Sequence, residues 1–577
     1  MQAQLAHYWS EYFVLWVQVS MAIGVFVAFS IVPRMGERFF RSVESLFSNL
    51  ASKKTAAIWS VFLATIAVRV MLLPAIGFPF PTGHDDHSYL LMGETFAHGR
   101  LAYPQHALWM SFETFHENFY PTYSSIFPPA QGLVLAVGQL LGNPWIGVLL
   151  SVAAMCATVV WMLQAWMPSR WALLGGVMAL CNLGVVSYWV NSYWGGAVAA
   201  TGGALVLGAL PRIFRTQRIR YSLVLGLGVA ILANSRPYEG LVFCTPVAGW
   251  LLWWLLGRVR VSALRRTTAL RVALPTAAVI CATAAFMAYY NWRLTGNALL
   301  MPHSLNYRIY YRTPLFLWER AGAPIHYNNP QFEDFYNGWV RNLYNGSLRD
   351  VVRVSREKLR HLIAVFLWPG ALPALFCLPL ALWDRRVRFL FVELIVFLGG
   401  LFLVIYSLPH YAAPLTCVIY ALLVQGIRHL RAIRFAQRPA GIGLARASIL
   451  LLVLTTGFNT YHLVRTPAQP FSWSWNVGTG DAGPAAIERQ LDQIPGKHLI
   501  VVRYGAAHNP HGEWVFNHAD IDGSRIVWAR ELDPQQNGKL FTHFRDRQIW
   551  LFEPDRNYRT LTPLHVNSSQ LAAHSGG

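Results

Sequence analysis

The chain has 577 residues, of which 54% are hydrophobic and only 13% are charged, and its mean hydropathy is +0.35. Soluble domains carry about 25% charged residues, so this composition excludes an ordinary soluble protein and indicates one that crosses a membrane many times. The net charge of +20 does not require nucleic acid as a partner, because the basic residues crowd into short segments between apolar runs.

Twelve apolar runs predict membrane helices, since each approaches the ~20 residues that span a bilayer core. The predicted spans are 11–33, 56–80, 145–167, 171–190, 195–211, 220–236, 238–257, 271–290, 361–383, 388–408, 412–428 and 448–465. Segment 128–142 is apolar but shorter, which favours an interfacial or re-entrant helix. The fold class expected from this pattern is an all-α polytopic membrane protein.

The basic segments orient these spans, because Lys and Arg accumulate in cytoplasmic loops. They occupy 34–55, 212–220, 258–271, 384–388 and 428–447. An even number of spans then places both termini outside the cytoplasm, together with the loops 81–144 and 291–360 and the C-terminal residues 466–577.

Two further features support an integral membrane protein. The first apolar run has no Lys or Arg before it, so we interpret it as an uncleaved membrane helix, since a signal peptide normally starts with a basic region. The six cysteines all lie in or beside apolar runs, which predicts small buried side chains and no disulfide framework.

Two adjacent carboxylates follow the second predicted span, in the stretch GHDDHSY at 83–89. Asp85 and Asp86 stand between two histidines, and Tyr89 comes four residues after Asp85, on the same face of a helix. Close carboxylates repel each other, so such a pair is expected to cap a helix, to bind a metal ion or to act as a general base. The loop that follows is long and rich in aromatic residues, and loops of that length usually have a function.

A divalent metal ion is one of these alternatives, with four candidate ligands: His84, Asp85, Asp86 and His87. Adjacent residues on one short segment cannot all reach one ion. Such a site would therefore need a further ligand, for example Glu94 or Glu113. The sequence leaves the need for a metal cofactor open.

The segment SYWVNSYWGG, 187–196, falls at an outer membrane surface in this topology. Trp and Tyr in that position usually anchor a protein at the interface. The small residues that follow permit close packing of helices; they are Gly195, Gly196, Gly202 and Gly203. Both features are predicted to be structural.

Charged residues also occur at the predicted outer end of a later span, where ANSRPYEGL contains Arg236 and Glu239. An ionisable residue there is a functional hypothesis by default, and an arginine could clamp a phosphate through its planar fork. A salt bridge between the two residues is the structural alternative. In the loop MPHSLNYRIYYRTP, His303, Arg308 and Arg312 could contact a substrate or a lipid phosphate, and an interfacial aromatic-basic helix is the alternative.

The character of the sequence changes at about residue 466, where a Pro/Gly/Ser-rich linker begins. The stretch AAIERQLDQI then predicts a helix, and HLIVVRY, SRIVWAREL and RQIWLFEP predict strands. A second helix is expected in DPQQNGKLFTHF, with Asp533 as its cap. We therefore expect two domains, a transmembrane domain over 1–465 and a small extracytoplasmic α/β domain over 466–577.

Several motifs stand in a fixed order over roughly residues 56–430: a membrane helix, the acidic pair, the Tyr four residues after the first acid, AHGRLAYP and a Pro-Pro segment. This order resembles the GT-C superfamily of membrane glycosyltransferases, which includes the bacterial lipid A aminoarabinose transferase and the protein O-mannosyltransferases. The resemblance implies that Asp85 is the catalytic carboxylate, with Asp86 in the second acidic place. The family's Pro-Pro motif matches Pro128 and Pro129.

Two looser matches extend the resemblance. ANSRPYEGL is similar to the family's Arg-containing stretch, which implies that Arg236 lies near the donor phosphate. LPHYAAPL is similar to a late motif that usually contains Arg-Tyr, and it gives His410 and Tyr411. The chain departs from the family at Phe127, where some relatives carry Lys, at His410, and in an extra N-terminal helix.

The resemblance implies a hexosyl- or pentosyltransferase in the bacterial inner membrane, with its site and its C-terminal domain on the extracytoplasmic side. It would move a sugar from a polyprenyl-phosphate-linked donor to an envelope acceptor, a lipid, glycan or protein, with inversion and a carboxylate base. The residues themselves and the resemblance together give these candidate substrate contacts: Tyr89, Pro128, Pro129, Arg236, Glu239, His303, Arg308, His410 and Tyr411.

Two alternatives to a transferase stay open, a transporter or lipid flippase, and a non-catalytic subunit for assembly of envelope polysaccharide. A transporter is expected to carry charged residues near the middle of its spans and to have duplicated halves. We find no repeated half in the sequence, and its conspicuous polar residues cluster at the outer ends of the predicted spans. A non-catalytic subunit would share the fold but would not need Asp85.

Overall fold

The computed structural model describes residues 2–259, 266–406, 408–434, 439–466, 480 and 482–564. Parts of two predicted basic loops and of the predicted linker fall on 260–265, 435–438 and 467–479, which lie outside the described residues. The α-helices are α1 Gln2–Ile31, α2 Glu37–Ser52, α3 Lys54–Ile76, α4 His84–Ala97, α5 Trp109–Phe112, α6 Pro129–Leu140, α7 Pro144–Trp166, α8 Ser169–Ala179, α9 Ala197–Thr216, α10 Ile219–Ala233, α11 Pro237–Val259, α12 Leu274–Thr295, α13 Pro302–Tyr310, α14 Pro330–Phe332, α15 Leu348–Phe366, α16 Leu372–Phe376, α17 Leu378–Ala381, α18 Arg388–Leu403, α19 Thr416–Ala432, α20 Ala440–Arg465, α21 Gly483–Asp492, α22 Pro534–His543 and α23 Pro554–Asn557. The strands are β1 Tyr103–Pro104, β2 Glu117–Asn118, β3 Thr122–Ser125, β4 Lys497–Val502, β5 Ile526–Arg530, β6 Arg547–Phe552 and β7 Leu561–Pro563.

Among the described residues, eight helices are long and apolar enough to cross a membrane. They are Phe13–Ile31, Lys54–Ile76, Pro144–Trp166, Ala197–Thr216, Pro237–Gly257, Arg266–Thr295, Pro409–Ala432 and Ala440–Arg465. A ninth span is present if Leu348–Phe366 and Pro369–Phe376, which meet at a bend of 93°, are counted as one. The chain is therefore a polytopic helical protein, as predicted.

The predicted number of twelve spans is not confirmed, because several apolar runs do not form one long helix. In run 171–190, α8 ends at Ala179, and a π-helical turn over Leu180–Gly184 replaces the regular ladder. In that turn the Asn182 side chain donates a hydrogen bond to the carbonyl of Val365. Run 220–236 forms the 15-residue helix α10, and run 388–408 forms the 16-residue helix α18. An apolar run records composition, whereas helix continuity depends on where polar groups find partners inside the bundle.

A proline occupies the first position of three helices that border the candidate active site. These are α6 at Pro129, α11 at Pro237 and α13 at Pro302. Proline suits this position because its missing N–H would have no partner there and its φ already fits a helix. The short apolar segment 128–142 thus forms α6, a helix of 12 residues, and its interfacial or re-entrant placement stays a prediction.

The C-terminal unit is a small α/β fold, as the sequence predicted. Its sheet has the order β5-β4-β6-β7, in which β4 is parallel to β5 and β6, and β7 runs antiparallel to β6. The predicted helices are α21 and α22. Asp533 caps α22 by accepting hydrogen bonds from the amides of Gln535 and Gln536, both at 2.9 Å.

The two faces of this sheet are covered differently. Alternate residues of β4 point to opposite faces. Ile500 and Val502 pack with Ile487 of α21, whereas Leu499 and Val501 belong to a cluster that also contains Phe112 from the loop after α4. The C-terminal unit therefore packs directly on the loop that follows the acidic pair.

Segment 187–196 does not anchor the chain at a membrane surface, contrary to expectation. Tyr188, Trp189 and Tyr193 are all buried. The burial of this segment depends on Arg69 of α3, an arginine that is itself fully buried. The pattern of apolar runs does not connect Arg69 with this segment. Its guanidinium donates a hydrogen bond to the Asn191 side chain at 2.8 Å, so the segment is held inside the bundle. The same guanidinium lies over the ring of Trp145, on α7.

All six cysteines are free, as predicted. Cys156, Cys377 and Cys417 are buried and Cys181 and Cys244 are half-buried. Cys281 is exposed on α12, which contradicts the predicted burial. A residue on the outward face of a membrane helix satisfies its apolar character against lipid instead of protein.

Gly203 on α9 supports the expected close packing of helices. A methyl group there would overlap the backbone carbonyl of Pro414. We predict that Gly203→Ala destabilises the protein by about 1–3 kcal/mol, because the added carbon forces two backbones apart. The matched control is Gly249→Ala on α11, where an added carbon meets no atom within 4 Å. The measurement is thermal unfolding in detergent, and equal melting temperatures for the two variants would contradict this prediction.

Candidate active site

A cavity of about 610 Å³ opens where α4, α11, α13 and the Pro409–Leu415 turn come together. Its wall combines polar groups from α4 and the turn before α11 with a large apolar surface. The residues that the sequence analysis proposed and that line it are His84, Asp85, Tyr89, Pro128, Arg236, Glu239, His303, His410 and Tyr411. They come from five separate parts of the chain, and the fold brings them to one place.

The two acids of the pair point in different directions because successive helical residues are about 100° apart. Both lie in the first turn of α4, where negative charge interacts favourably with the helix dipole. Neither is the cap, since the N-cap residue is Gly83. The helix-capping alternative for the pair is therefore not what the structure shows.

Asp86 is fully buried and holds α4 against the rest of the bundle. Its carboxylate accepts hydrogen bonds from the amide of Tyr193 at 2.7 Å, from the amide of Thr82 at 3.1 Å and from the Thr82 hydroxyl at 3.3 Å. Burial raises the pKa of Asp86 to about 7, although these hydrogen bonds oppose the rise. Asp86 does not line the cavity, so the structure places this predicted catalytic residue behind the site.

Asp85 lies on the cavity wall with its side chain 19% exposed. Its Oδ1 is 2.6 Å from Nδ1 of His116, and Nε2 of His116 is 3.1 Å from the hydroxyl of Tyr311. The sequence analysis missed both partners. They lie 31 and 226 residues from Asp85, and no motif spacing connects a loop histidine to such distant groups.

Arg236 faces the same cavity and is half-buried. Its guanidinium lies 4.5 Å from the ring centroid of Tyr411, which is the aromatic residue of the late motif. Among the described residues, no ion pair within 4.0 Å joins Arg236 to Glu239, so the salt-bridge alternative does not account for it. Glu239 is buried and lies on the cavity wall.

The Pro-Pro motif forms another part of the cavity wall. Pro128 is the N-cap residue of α6 and lines the cavity, whereas Pro129 is buried within the first turn and does not. Phe127, which precedes the two prolines, stacks on Tyr89 with ring centroids 4.3 Å apart. The cavity wall is therefore apolar at this point, and residue 127 contributes no charge to it.

Two histidines of the cavity have different surroundings. His410, from the stretch LPHYAAPL, is buried and its Nδ1 is 3.1 Å from the hydroxyl of Tyr188. Burial, together with the nearby His116 and Arg236, lowers the pKa of His303 to about 4. His303 is thus uncharged at neutral pH.

Arg308 does not reach the cavity. It is exposed on α13, five residues after His303, and its side chain does not line the cavity wall. Residues three and four apart share a helix face, but five residues turn the side chain well away. The structure does not bring this predicted substrate contact to the site.

The four candidate metal ligands of GHDDHSY do not converge. His84 stacks on Phe115 and its Nε2 is 3.1 Å from the carbonyl of Pro510, while His87 stacks on Phe516 at 3.7 Å. Burial lowers the pKa of His87 to about 3. Both rings thus contact the C-terminal unit.

The further ligands proposed for that metal are engaged elsewhere. Glu94 accepts hydrogen bonds from the C-terminal unit, with His518 Nδ1 at 3.1 Å, and Glu113 accepts one from the hydroxyl of Tyr310 at 2.6 Å. The residues of this stretch therefore do not fit a metal ion in their present arrangement, and the metal stays a prediction from sequence.

One cluster elsewhere in the described part of the chain has metal-ligating side chains, His106, Asp522 and His543, with ligand atoms within 4.8 Å of one another. His106 Nδ1 accepts a hydrogen bond from the amide of Leu108 at 2.9 Å, so its Nε2 carries the proton. That N–H points at Asp522 Oδ1 at 3.3 Å, and His543 Nε2 lies 2.8 Å from the same oxygen. With no lone pair on Nε2 of His106, the cluster is a hydrogen-bonded clasp between the loop and the C-terminal unit.

The C-terminal unit also contributes to the cavity itself. His511 lines its mouth, with its ring 4.7 Å from the ring of Trp339 and 5.5 Å from that of Phe335. The sequence analysis found neither the histidine nor the two aromatic residues. A contact between segments that are more than 170 residues apart leaves no local signal.

No protein-family model matches the sequence, and neither does any curated protein. Solved structures do match it. An oligosaccharyltransferase from Archaeoglobus fulgidus, tethered to an acceptor peptide, is 12% identical, with 86% of this chain and 68% of that chain covered and a TM-score of 0.46. The oligosaccharyltransferase AglB from the same organism, in complex with an inhibitory peptide and a dolichol-phosphate, is 13% identical, with 86% and 69% covered and a TM-score of 0.44.

ArnT from Cupriavidus metallidurans, bound to undecaprenyl phosphate, is also 13% identical, with 86% of this chain and 93% of that chain covered and a TM-score of 0.46. The chain is thus similar to solved structures of oligosaccharyltransferases and of ArnT. At these identities and at TM-scores below 0.5, what the protein does has to be argued from its own residues.

The buried carboxyl of Asp86 predicts a specific pH dependence of stability. Its pKa in the folded protein, about 7, lies above the value of 3.8 expected for an exposed aspartate, so the folded state binds the proton more tightly than the unfolded state. The stabilisation is complete below about pH 4 and is lost as the pH rises through 7. We predict that the melting temperature of the wild type falls more between pH 5 and pH 8 than that of Asp86→Asn.

The measurement is thermal unfolding in detergent at both pH values. Asp85→Asn serves as the matched control, since it removes the neighbouring carboxyl from the same turn. A wild type and an Asp86→Asn variant with the same pH dependence would show that Asp86 titrates as an exposed acid.

Proposed function

We propose that the protein is a membrane glycosyltransferase that takes a sugar from a polyprenyl-phosphate-linked donor and transfers it to an envelope acceptor. Its site then faces the extracytoplasmic side of the bacterial inner membrane. One observation carries the proposal: the carboxylate of Asp85 and the guanidinium of Arg236 line one cavity whose remaining wall is largely apolar. A base, a phosphate-binding cation and a surface suited to a lipid are the parts that this reaction needs.

The apolar part of the wall supports a lipid-linked donor. It includes Leu315, Val404 and Leu408, at the side where α18 and the Pro409–Leu415 turn border the cavity. A polyprenyl chain can lie along such a surface, while its phosphate meets the planar, bidentate fork of Arg236. The ring of Tyr411 holds that guanidinium from one side.

Asp85 is the proposed base. In this mechanism the acceptor hydroxyl gives its proton to Asp85 as its oxygen attacks the anomeric carbon of the donor sugar. The bond between that carbon and the phosphate oxygen breaks, and the charge left on the phosphate is stabilised by Arg236. A single displacement of this kind inverts the configuration at the anomeric carbon.

The first prediction from this mechanism concerns the base. Asp85→Asn should reduce glycan transfer by about 10²–10⁴-fold, because the amide cannot accept the proton. The measurement is mass spectrometry of envelope glycans in cells that produce each variant at equal membrane abundance. Glu94→Gln is the matched control, since Glu94 lies on the same helix but faces the C-terminal unit. Unchanged glycans in the Asp85→Asn strain would favour a non-catalytic subunit.

The second prediction concerns the phosphate. Arg236→Gln should weaken the binding of undecaprenyl phosphate to the purified protein at least tenfold, because it removes the charge and the bidentate geometry. Arg236→Lys should bind with intermediate affinity. Arg308→Gln, an exposed arginine outside the cavity, should bind as the wild type does. Equal affinities for Arg236→Gln and Arg308→Gln would remove Arg236 from the mechanism.

A further inference from the structure

His116 has an unusual backbone for its residue type. Its φ is 59°, in the left-handed region that few residues other than glycine adopt. The conformation is held by the Ser88 hydroxyl, which donates to the His116 carbonyl at 2.6 Å, and by the amide of Ile126 at 3.4 Å. Such an outlier in a cavity wall is often tied to function, because its cost of about 1–3 kcal/mol persists only where the surroundings enforce it.

The ring of His116 lies between two groups that fix its tautomer. An ionised carboxylate only accepts hydrogen bonds, so Nδ1 must donate to Asp85 Oδ1 at 2.6 Å. In the neutral ring Nε2 then keeps its lone pair and accepts from the hydroxyl of Tyr311 at 3.1 Å. Burial raises the pKa of Tyr311 well above its usual value, so this hydroxyl keeps the proton that it donates.

The far end of this chain of hydrogen bonds is rigid. The ring of Tyr311 stacks on Tyr307 with centroids 4.3 Å apart, and it meets the edge of Tyr336 at 4.7 Å. The strained loop holds one side of His116 and these aromatic rings hold the other. The position of Asp85 Oδ1 is thereby set by two elements outside its own helix.

We propose that His116 is the positioning residue for the base: it holds Asp85 Oδ1 so that Oδ2 is presented to the acceptor hydroxyl. Among the hydrogen bonds of the described residues, Asp85 Oδ2 has no protein partner, which leaves it to take the acceptor proton. No proton leaves His116 in this step. This inference rests on the proposed transferase function, but it assigns a role that the transferase function by itself does not require.

The test uses three substitutions, two that mimic different parts of the ring and one that removes it. His116→Asn retains an N–H near the place of Nδ1, and asparagine tolerates the left-handed backbone. His116→Gln retains a polar group near the place of Nε2 and reaches toward Tyr311 instead. His116→Gly removes the side chain without strain at positive φ. Each full-length variant is produced in membranes, and its abundance and melting temperature are compared with the wild type.

Two quantities are measured for each variant. One is the rate of glycan transfer in membrane vesicles that are supplied with lipid-linked sugars extracted from wild-type membranes. The other is the affinity for undecaprenyl phosphate. We expect His116→Gly and His116→Gln to lose at least tenfold in rate with an affinity within threefold of wild type, and His116→Asn to recover most of the rate.

The double variant Asp85→Asn/His116→Gly separates this role from independent catalysis. If His116 acts through Asp85, the double variant is no slower than Asp85→Asn alone, because the two losses are not additive. A wild-type rate in His116→Gly, an Asn variant as slow as the Gly variant, or additive losses would each overturn the proposal. The proposed function fails in a different way, through full activity of Asp85→Asn itself.

Discussion

The hydrogen bond from the Tyr193 amide to Asp86 Oδ1, at 2.7 Å, fixes the first turn of α4 against the buried segment 187–196. That segment is in turn held by Arg69, whose guanidinium reaches Asn191 from α3. A buried carboxylate and a buried arginine are costly unless their polar atoms find partners, so each makes its neighbours hard to move. Because Asp85 is the adjacent residue on the same helix, this arrangement also fixes the orientation of Asp85.

A second layer of constraint comes from outside the helical bundle. The C-terminal sheet packs on the loop after α4 through Leu499 and Val501, and the clasp around Asp522 ties the same two parts together. His87 stacks on Phe516 of that unit. The first turn of α4, which carries the two acids, therefore contacts both the helical bundle and the α/β unit. Contacts on both sides make the turn rigid, as a preorganised site requires.

The cavity between these two layers has two chemical halves. Its apolar side, with Leu315 and Leu408, suits the tail of a lipid, while the mouth near Trp339 and His511 is aromatic and polar. Asp85 and Arg236 contribute charged groups to the wall of the same cavity.

The sequence by itself determined the features that depend on composition and local pattern. Hydropathy predicted a polytopic helical protein, the Asp533 cap and the alternating strands predicted the α/β unit, and motif order brought Asp85, Arg236 and Tyr411 together as candidates. All three of those residues line the cavity. Local pattern suffices here because capping, periodicity and apolar content act over a few residues.

Only the tertiary structure decided which of two adjacent acids faces the cavity, that Arg308 lies outside it, and how many apolar runs form continuous helices. It also supplied His116, whose partners Asp85 and Tyr311 come from distant parts of the chain. A hydrogen bond between residues that are nearly 200 positions apart depends on how the helices pack, and packing is set by contacts that no short stretch of sequence contains.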